Sequence, residues 1–210
     1  MSASYKEINY SLRPAKYIER KMLAEALQRL AIFGKVSAYK YIGFGSTYFS
    51  DFILFHRMLG ISQMTSIEKD TNSKDRFEFN KPFGCVKLKF GKSHEILPTT
   101  NWSARTILWL DYDGQLNVNC LSDISVFCSN APAGSALIIS VNADFDKTAD
   151  RAFEDFETAV GKENIPIGVK LKDMRGNGAS TVLRQIIINQ IEKTLNARNG
   201  VVTQQQKLNF

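Results

Sequence analysis

The chain has 210 residues, 44% hydrophobic and 23% charged, with a formal net charge of +6, proportions that suit one compact core with a small appendage. No apolar run nears the ~20 residues of a membrane helix, so no membrane partner is expected; two histidines exclude a His-rich metal site. A polar N-terminus and three cysteines without metal-like spacing (Cys85, Cys120, Cys128) point to reduced thiols and a cytoplasmic protein. The basic excess lies in residues 1–40 and 165–210, with a balanced stretch between and an acidic one at 144–164. Such ends suit weak, sequence-independent contact with nucleic acid, against the plainer reading of solvated helix faces, because no nucleic-acid motif accompanies them.

Residues 14–33 read as an amphipathic helix, with Pro14 in the first turn and Gly34 at the stop. Ile18, Met22, Ala26, Leu30 and Phe33 share the face expected to pack, and Arg13, Lys16 and Arg20 are expected to stay exposed. From residue 39 short apolar runs alternate with helical patterns. "YKYIG" is a strand, and "STYFSDFILFHRML" a helix ended by Gly60, with Ser46 or Thr47 as its cap. "QMTSIE" is a strand and 70–79 a short helix; "CVKLKF" is a strand and "SHEIL" a single turn stopped by Pro98. "TILWLD" is a strand, 117–129 a helix, "SALIISVN" a strand, and 147–160 and 179–198 are helices. Five strands alternating with helices imply parallel pairing and an α/β fold, divided here as a helical extension (1–38) and a main domain (39–210).

In such sheets ligands bind where the strand order reverses, at the carboxyl ends of the first and fourth strands. Those ends are Gly43–Ser46 and Asp111–Gly114. Gly43 and Gly45 would allow a tight turn and a close ligand approach, or simply a packing corner. No GxxxxGK[ST] phosphate loop and no serine elbow are present. A nicotinamide enzyme would share the glycine turn and Glu68, yet the chain lacks a Tyr-x-x-x-Lys pair. His56, beside Phe55 and Arg57 on an aromatic helix, reads as structural.

Four pieces in order, "YIGFGS", Glu68 in "TSIEKD", "VKLKFGKSHEILP" and "ILWLDYDG", resemble the motifs of the class I S-adenosylmethionine-dependent methyltransferases, in particular their O-methyltransferase-like branch. The resemblance implies a three-layer, Rossmann-like, mostly parallel sheet, with S-adenosylmethionine as cofactor and a small-molecule or macromolecular hydroxyl as acceptor. It assigns Gly43, Gly45, Ser46, Glu68, Ser93, His94 and Asp111 to cofactor binding, with Glu68 on the ribose hydroxyls and Ser93 and His94 near adenine. Asp111 and Asp113 take the catalytic positions. Some members of the branch use a divalent metal, whose ligands would correspond to Asp111, Asn142 and Asp144, with helix capping or solvation as the alternative. The turn around Gly45 carries no carboxylate, and Lys92 stands where an adenine acceptor is common. These departures and the basic ends support a second reading, a catalytically inactive binding or assembly subunit with a nucleic-acid or protein partner.

Relatives usually end in two further strands. After the last helix only "VVTQQQKLNF" remains, one strand's worth of β-compatible residues. An incomplete C-terminal strand pair would leave the fifth strand with an open edge, so either the chain is a fragment or an oligomer or partner chain completes the sheet, the alternative being a shortened sheet whose edge residues 161–178 fold back to cover.

Overall fold

The computed structural model of the chain describes residues 14–144, 152–175 and 177–201. Arg13, the first residues of the helix expected from 147, and all but the first residue of the expected C-terminal strand lie outside them. The described residues fall into two compact units. The first runs to Asp111 and includes Ala131–Ile139; the second comprises Tyr112–Asn130 and the residues from Ser140 onward.

The first unit is built on a five-stranded sheet. Its strands are β1 (Lys40–Gly43), β2 (Gln63–Glu68), β3 (Val86–Phe90), β4 (Thr106–Asp111) and β5 (Ala136–Ser140), whose last residue belongs to the second unit. They lie in the order β3-β2-β1-β4-β5. β1 runs parallel to both β2 and β4, and β2 parallel to β3. The order reverses between β1 and β4, the switch point of a Rossmann-like α/β sheet. Helices α1 (Pro14–Gln28), α2 (Ser50–Leu59), α3 (Lys74–Asn80) and α4 (Ser93–Ile96) precede or connect these strands.

The core on one face of this sheet is aromatic. Tyr41 meets Phe52 and Phe55 edge to face, with ring centroids 4.8 and 5.0 Å apart, and Phe55 stacks on Trp109 at 6.0 Å. Such geometry adds to the area these large side chains bury. Register fixes the grouping: Tyr41 pairs with Ile107, and alternation puts Gly43, Trp109 and Asp111 on that same face.

Two expectations are corrected here. The helix expected from Ser46 starts at Ser50, after a 3-10 turn over Ser46–Tyr48, and no side chain caps it. Phe49 interrupts the helix at φ 47°, in the left-handed region that costs a non-glycine residue about 1–2 kcal/mol. That conformation accompanies a fully buried ring packed edge-on against Phe52 and Phe77. The packed face of α1 is rotated from the expected one, of whose residues Leu30 alone packs on the core. Ala24 and Leu27 are buried, while Ile18 and Met22 are 56% and 64% exposed and Ala26 and Phe33 are exposed too. Arg20, expected in solvent, shares the face of Ala24 and Leu27, with its guanidinium 5.9 Å from the Trp109 ring centre. Periodicity places a charged residue outside, but the arginine stem is long and apolar and can cover an aromatic surface.

The second unit holds α5 (Val118–Asn130), α6 (Ala152–Val160) and α7 (Gly178–Val201), with short 3-10 turns at Lys162–Asn164 and Leu171–Met174. Arg198 of α7 donates to the Cys128 carbonyl at 2.9 Å, and Gln190 donates to Ser125 at 2.6 Å, which ties α7 to α5.

The burial pattern of α1 is tested by substitution. Leu27→Ala is expected to lower unfolding stability by about 2–4 kcal/mol, whereas Ile18→Gln and Met22→Gln stay within about 0.5 kcal/mol of the parent. Urea melts of the three variants measure this, and the reverse ranking would mean that the Ile18 face is the packed one.

Candidate active site

β1 ends at Gly43, and the next amides need partners off the ladder. The Gly45 N–H finds two on β2, the Ser66 hydroxyl at 2.9 Å and Glu68 Oε1 at 3.1 Å; Ser66 in turn donates to Glu68 Oε1 at 2.5 Å. Glu68 is 5% exposed, and its Oε2 takes no hydrogen bond from any described residue. The structure thus brings Gly43, Gly45, Ser46 and Glu68 together. Both glycines are required by the chain's own packing. A Cβ on Gly45 would lie 2.5 Å from Ser66 Oγ and 2.6 Å from the Phe49 ring, and one on Gly43 2.5 Å from the Tyr41 hydroxyl. Gly45 has an ordinary right-handed backbone (φ −72°), so crowding and not dihedral freedom demands it.

Beside this turn lies a second polar group that pattern reading missed. Tyr41 donates a very short hydrogen bond to Asp51 Oδ2, and Asp51 is 6% exposed in the first turn of α2. Arg20 and Asp111 are close enough to act on Tyr41 electrostatically, and Arg20 acts on Asp51 as well. The available signal was the i, i+2 pairing of Tyr41 with Gly43, which leaves room on one sheet face for a phenol to lie along the strand. Thr47, also buried, has a hydroxyl with no hydrogen-bond partner.

The turn after β3 reaches the same strand end, since the Gly91 amide donates to the Glu68 carbonyl at 3.0 Å. Ser93 and His94 open α4 just beyond it, with His94 Nε2 3.9 Å from Glu95. Asp113 belongs to the second unit. There the Asn142 side chain accepts from the Asp144 amide, and Gln115 donates to the Asp144 carbonyl. Among the described residues no group of three or more His, Cys, Asp or Glu side chains gathers for a metal. His56 donates from Nδ1 to the Ile61 carbonyl and packs on Phe83, a structural placement.

Burial, opposed by the hydrogen bonds from Ser66 and the Gly45 amide, pushes Glu68 up from 4.5 to about 7. Burial likewise lifts Asp51 from 3.8 to about 6, against the Tyr41 hydrogen bond and the Arg20 charge. With raised folded-state values the native protein binds more protons than the unfolded chain between pH 4 and 7, so both groups make stability fall as pH rises through that window. Glu68→Gln keeps the acceptor oxygen and removes the titration. Between pH 4.5 and 7.5 the variant is expected to lose about 3 kcal/mol less stability than the parent, from one shifted carboxyl at ~1.4 kcal/mol per pH unit. Denaturant midpoints at the two pH values decide it, and parallel losses would mean that this carboxyl is solvated.

No curated protein matches the chain. Among solved structures, a SAM-bound amino pentose methyltransferase of calicheamicin biosynthesis, CalS10 from Micromonospora echinaspora, is similar at 10% identity and a TM-score of 0.41. The match covers 66% of this chain and 53% of that one, so this chain spans about half of that structure's length. The profile of the family described as "Putative O-methyltransferase" matches residues 8–210. On that match, across nearly the whole sequence, the chain belongs to this O-methyltransferase family.

Proposed function

We propose that the protein transfers a methyl group from S-adenosylmethionine to a hydroxyl oxygen. The observation that carries this reading is Glu68, a buried carboxyl at the end of β2 that is held by the Gly45 amide through one oxygen and keeps the other uncommitted. A ligand with paired hydroxyls satisfies such a group, because a carboxylate accepts several hydrogen bonds. The orphaned Thr47 hydroxyl in the adjoining turn also suits a polar ligand. Both fit the ribose end of the cofactor.

When bound, S-adenosylmethionine supplies a methyl group already activated on sulfur. The chain's work is then to bind and to orient. In this reading Glu68 accepts from the ribose hydroxyls, and Gly43, Gly45 and Ser46 line the turn next to them. Ser93 and His94 stand on the adenine side. Asp111, with Asp113 beyond it, orients the acceptor hydroxyl and takes up its proton. The acceptor is a hydroxyl compound, and its identity does not follow from the fold.

Titration calorimetry with S-adenosylmethionine and S-adenosylhomocysteine tests the reading. Glu68→Ala is expected to weaken binding by about 2–4 kcal/mol through loss of two charge-assisted hydrogen bonds. Affinity of the parent protein should also fall as pH drops below about 7, where Glu68 takes up a proton. No binding at millimolar ligand overturns the proposal. Binding without methyl transfer to hydroxyl compounds, RNA or protein fractions would leave a cofactor-binding subunit in place of an enzyme.

A further inference from the structure

The outward face of α1 carries more exposed apolar surface than a surface helix needs. Five of the nine large apolar side chains exposed among the described residues lie between Tyr17 and Phe33. Met22 is 64% exposed, and Ile32, in the 3-10 turn that continues the helix, is 83% exposed. The spacing of Ile18, Met22, Ala26 and Phe33 sets them in one stripe, while Ala24 and Leu27 supply the packing of the helix on the core. Single apolar residues on a surface need no explanation, whereas a contiguous stripe marks an interaction surface. Glu25 and Arg29 stand exposed one turn apart within it, and among the described residues neither forms an ion pair.

We infer that this face is the contact between two copies of the chain, joined antiparallel about a twofold axis near Glu25 and Ala26. A twofold contact must be self-complementary, since each residue meets in the partner what the partner meets in it. The stripe has that property. Reversing the helix brings Ile18 to the partner's Ile32 and Phe33. It lays Met22 across the partner's Ala26, whose small side chain lets the helices approach. Glu25 and Arg29, opposite in sign, then each come within a turn of the other's counterpart, so that two ion pairs form across the axis. Glu25 in the middle of the stripe decides against a lipid surface, which would have to take a carboxylate out of water. A single helix face buries less than a standard interface, so the association is weak, in the micromolar range. The other side of the same helix holds Arg20 over Trp109, where its charge acts on Tyr41 and Asp51. The contact therefore steadies an element that borders the candidate site.

Sedimentation velocity of the full chain, from low micromolar to submillimolar concentration, tests this. The parent protein is expected to pass from monomer to dimer across that range. The double variant Ile18→Gln/Met22→Gln leaves the core untouched and should weaken the dimer about tenfold or more. Unfolding stability measured at dilution, where the copies are apart, keeps the ranking given above for α1. The charges give the more specific result. Glu25→Arg and Arg29→Glu should each weaken the dimer about 3–10-fold, and the combined exchange Glu25→Arg/Arg29→Glu should restore it, because that chain is again complementary to its own copy. Unchanged urea melts report an intact fold in each variant. A monomer throughout the range overturns the inference. So does a dimer that none of these exchanges weakens, which would use another surface. Losses in both single charge variants without recovery in the combined one overturn the twofold pairing, and a monomer that sediments with lipid vesicles through Ile18 and Met22 gives the face a different occupant.

Discussion

The Gly45 amide has lost its strand partner and must be answered by side chains of β2. Ser66 and Glu68 answer it together, and much of the surrounding geometry follows. Residue 45 can carry no Cβ, since the hydroxyl that accepts from its amide occupies that space. A carboxyl must sit in a dry position at the end of β2, where its charge is costly. The chain must then turn Phe49 inward to close the floor of the turn, at the cost of a left-handed residue. A hydrogen bond between two neighbouring strand ends thus sets where the glycine, the acid and the next helix lie.

The carboxyls on either side of that turn are coupled. Asp51 raises Glu68 through space, after burial itself, and each ionises less readily than in water. Burial holds both above the usual carboxylate range, and a charge on Asp51 makes a second charge on Glu68 harder to form. The charge presented at the end of β1 and β2 is therefore set by what lies against it. A positively charged ligand group favours ionisation, and a dry, neutral one suppresses it.

How much of this was legible follows from the physics of each feature. The strands were, because five apolar runs separated by turn residues bury a sheet in only one way, and their parallel order followed from the intervening helices. Glu68 was legible through its resemblance to the acid that ends the second strand in the methyltransferase motifs. The packed face of α1 was not: two stripes lie on that helix, and the stripe richer in large apolar residues is the exposed one. The choice was made by Trp109, distant in sequence, whose ring faces the Arg20 guanidinium. Asp51 and the left-handed Phe49 were hidden for the same reason, since both are fixed by tertiary neighbours and local propensity carries no trace of them. Ser93 and His94 could be placed at a helix start from sequence, while their surroundings could not.

The parallel pairing of β1 with β4 sets Lys40 against Thr106, with β2 and β3 made in between. As the polypeptide leaves the ribosome, β1 can join β2 and β3 early, but its other edge waits until β4 has been synthesised. Through that interval Tyr41 and the aromatic residues of α2 lack Trp109 as a neighbour. The nascent chain passes through a state with a bare strand edge and an uncovered aromatic face, the kind of species that slow, non-local pairing exposes to aggregation and that chaperones attend. The central position of β1, which creates the switch point, also keeps the switch point open until β4 has been made.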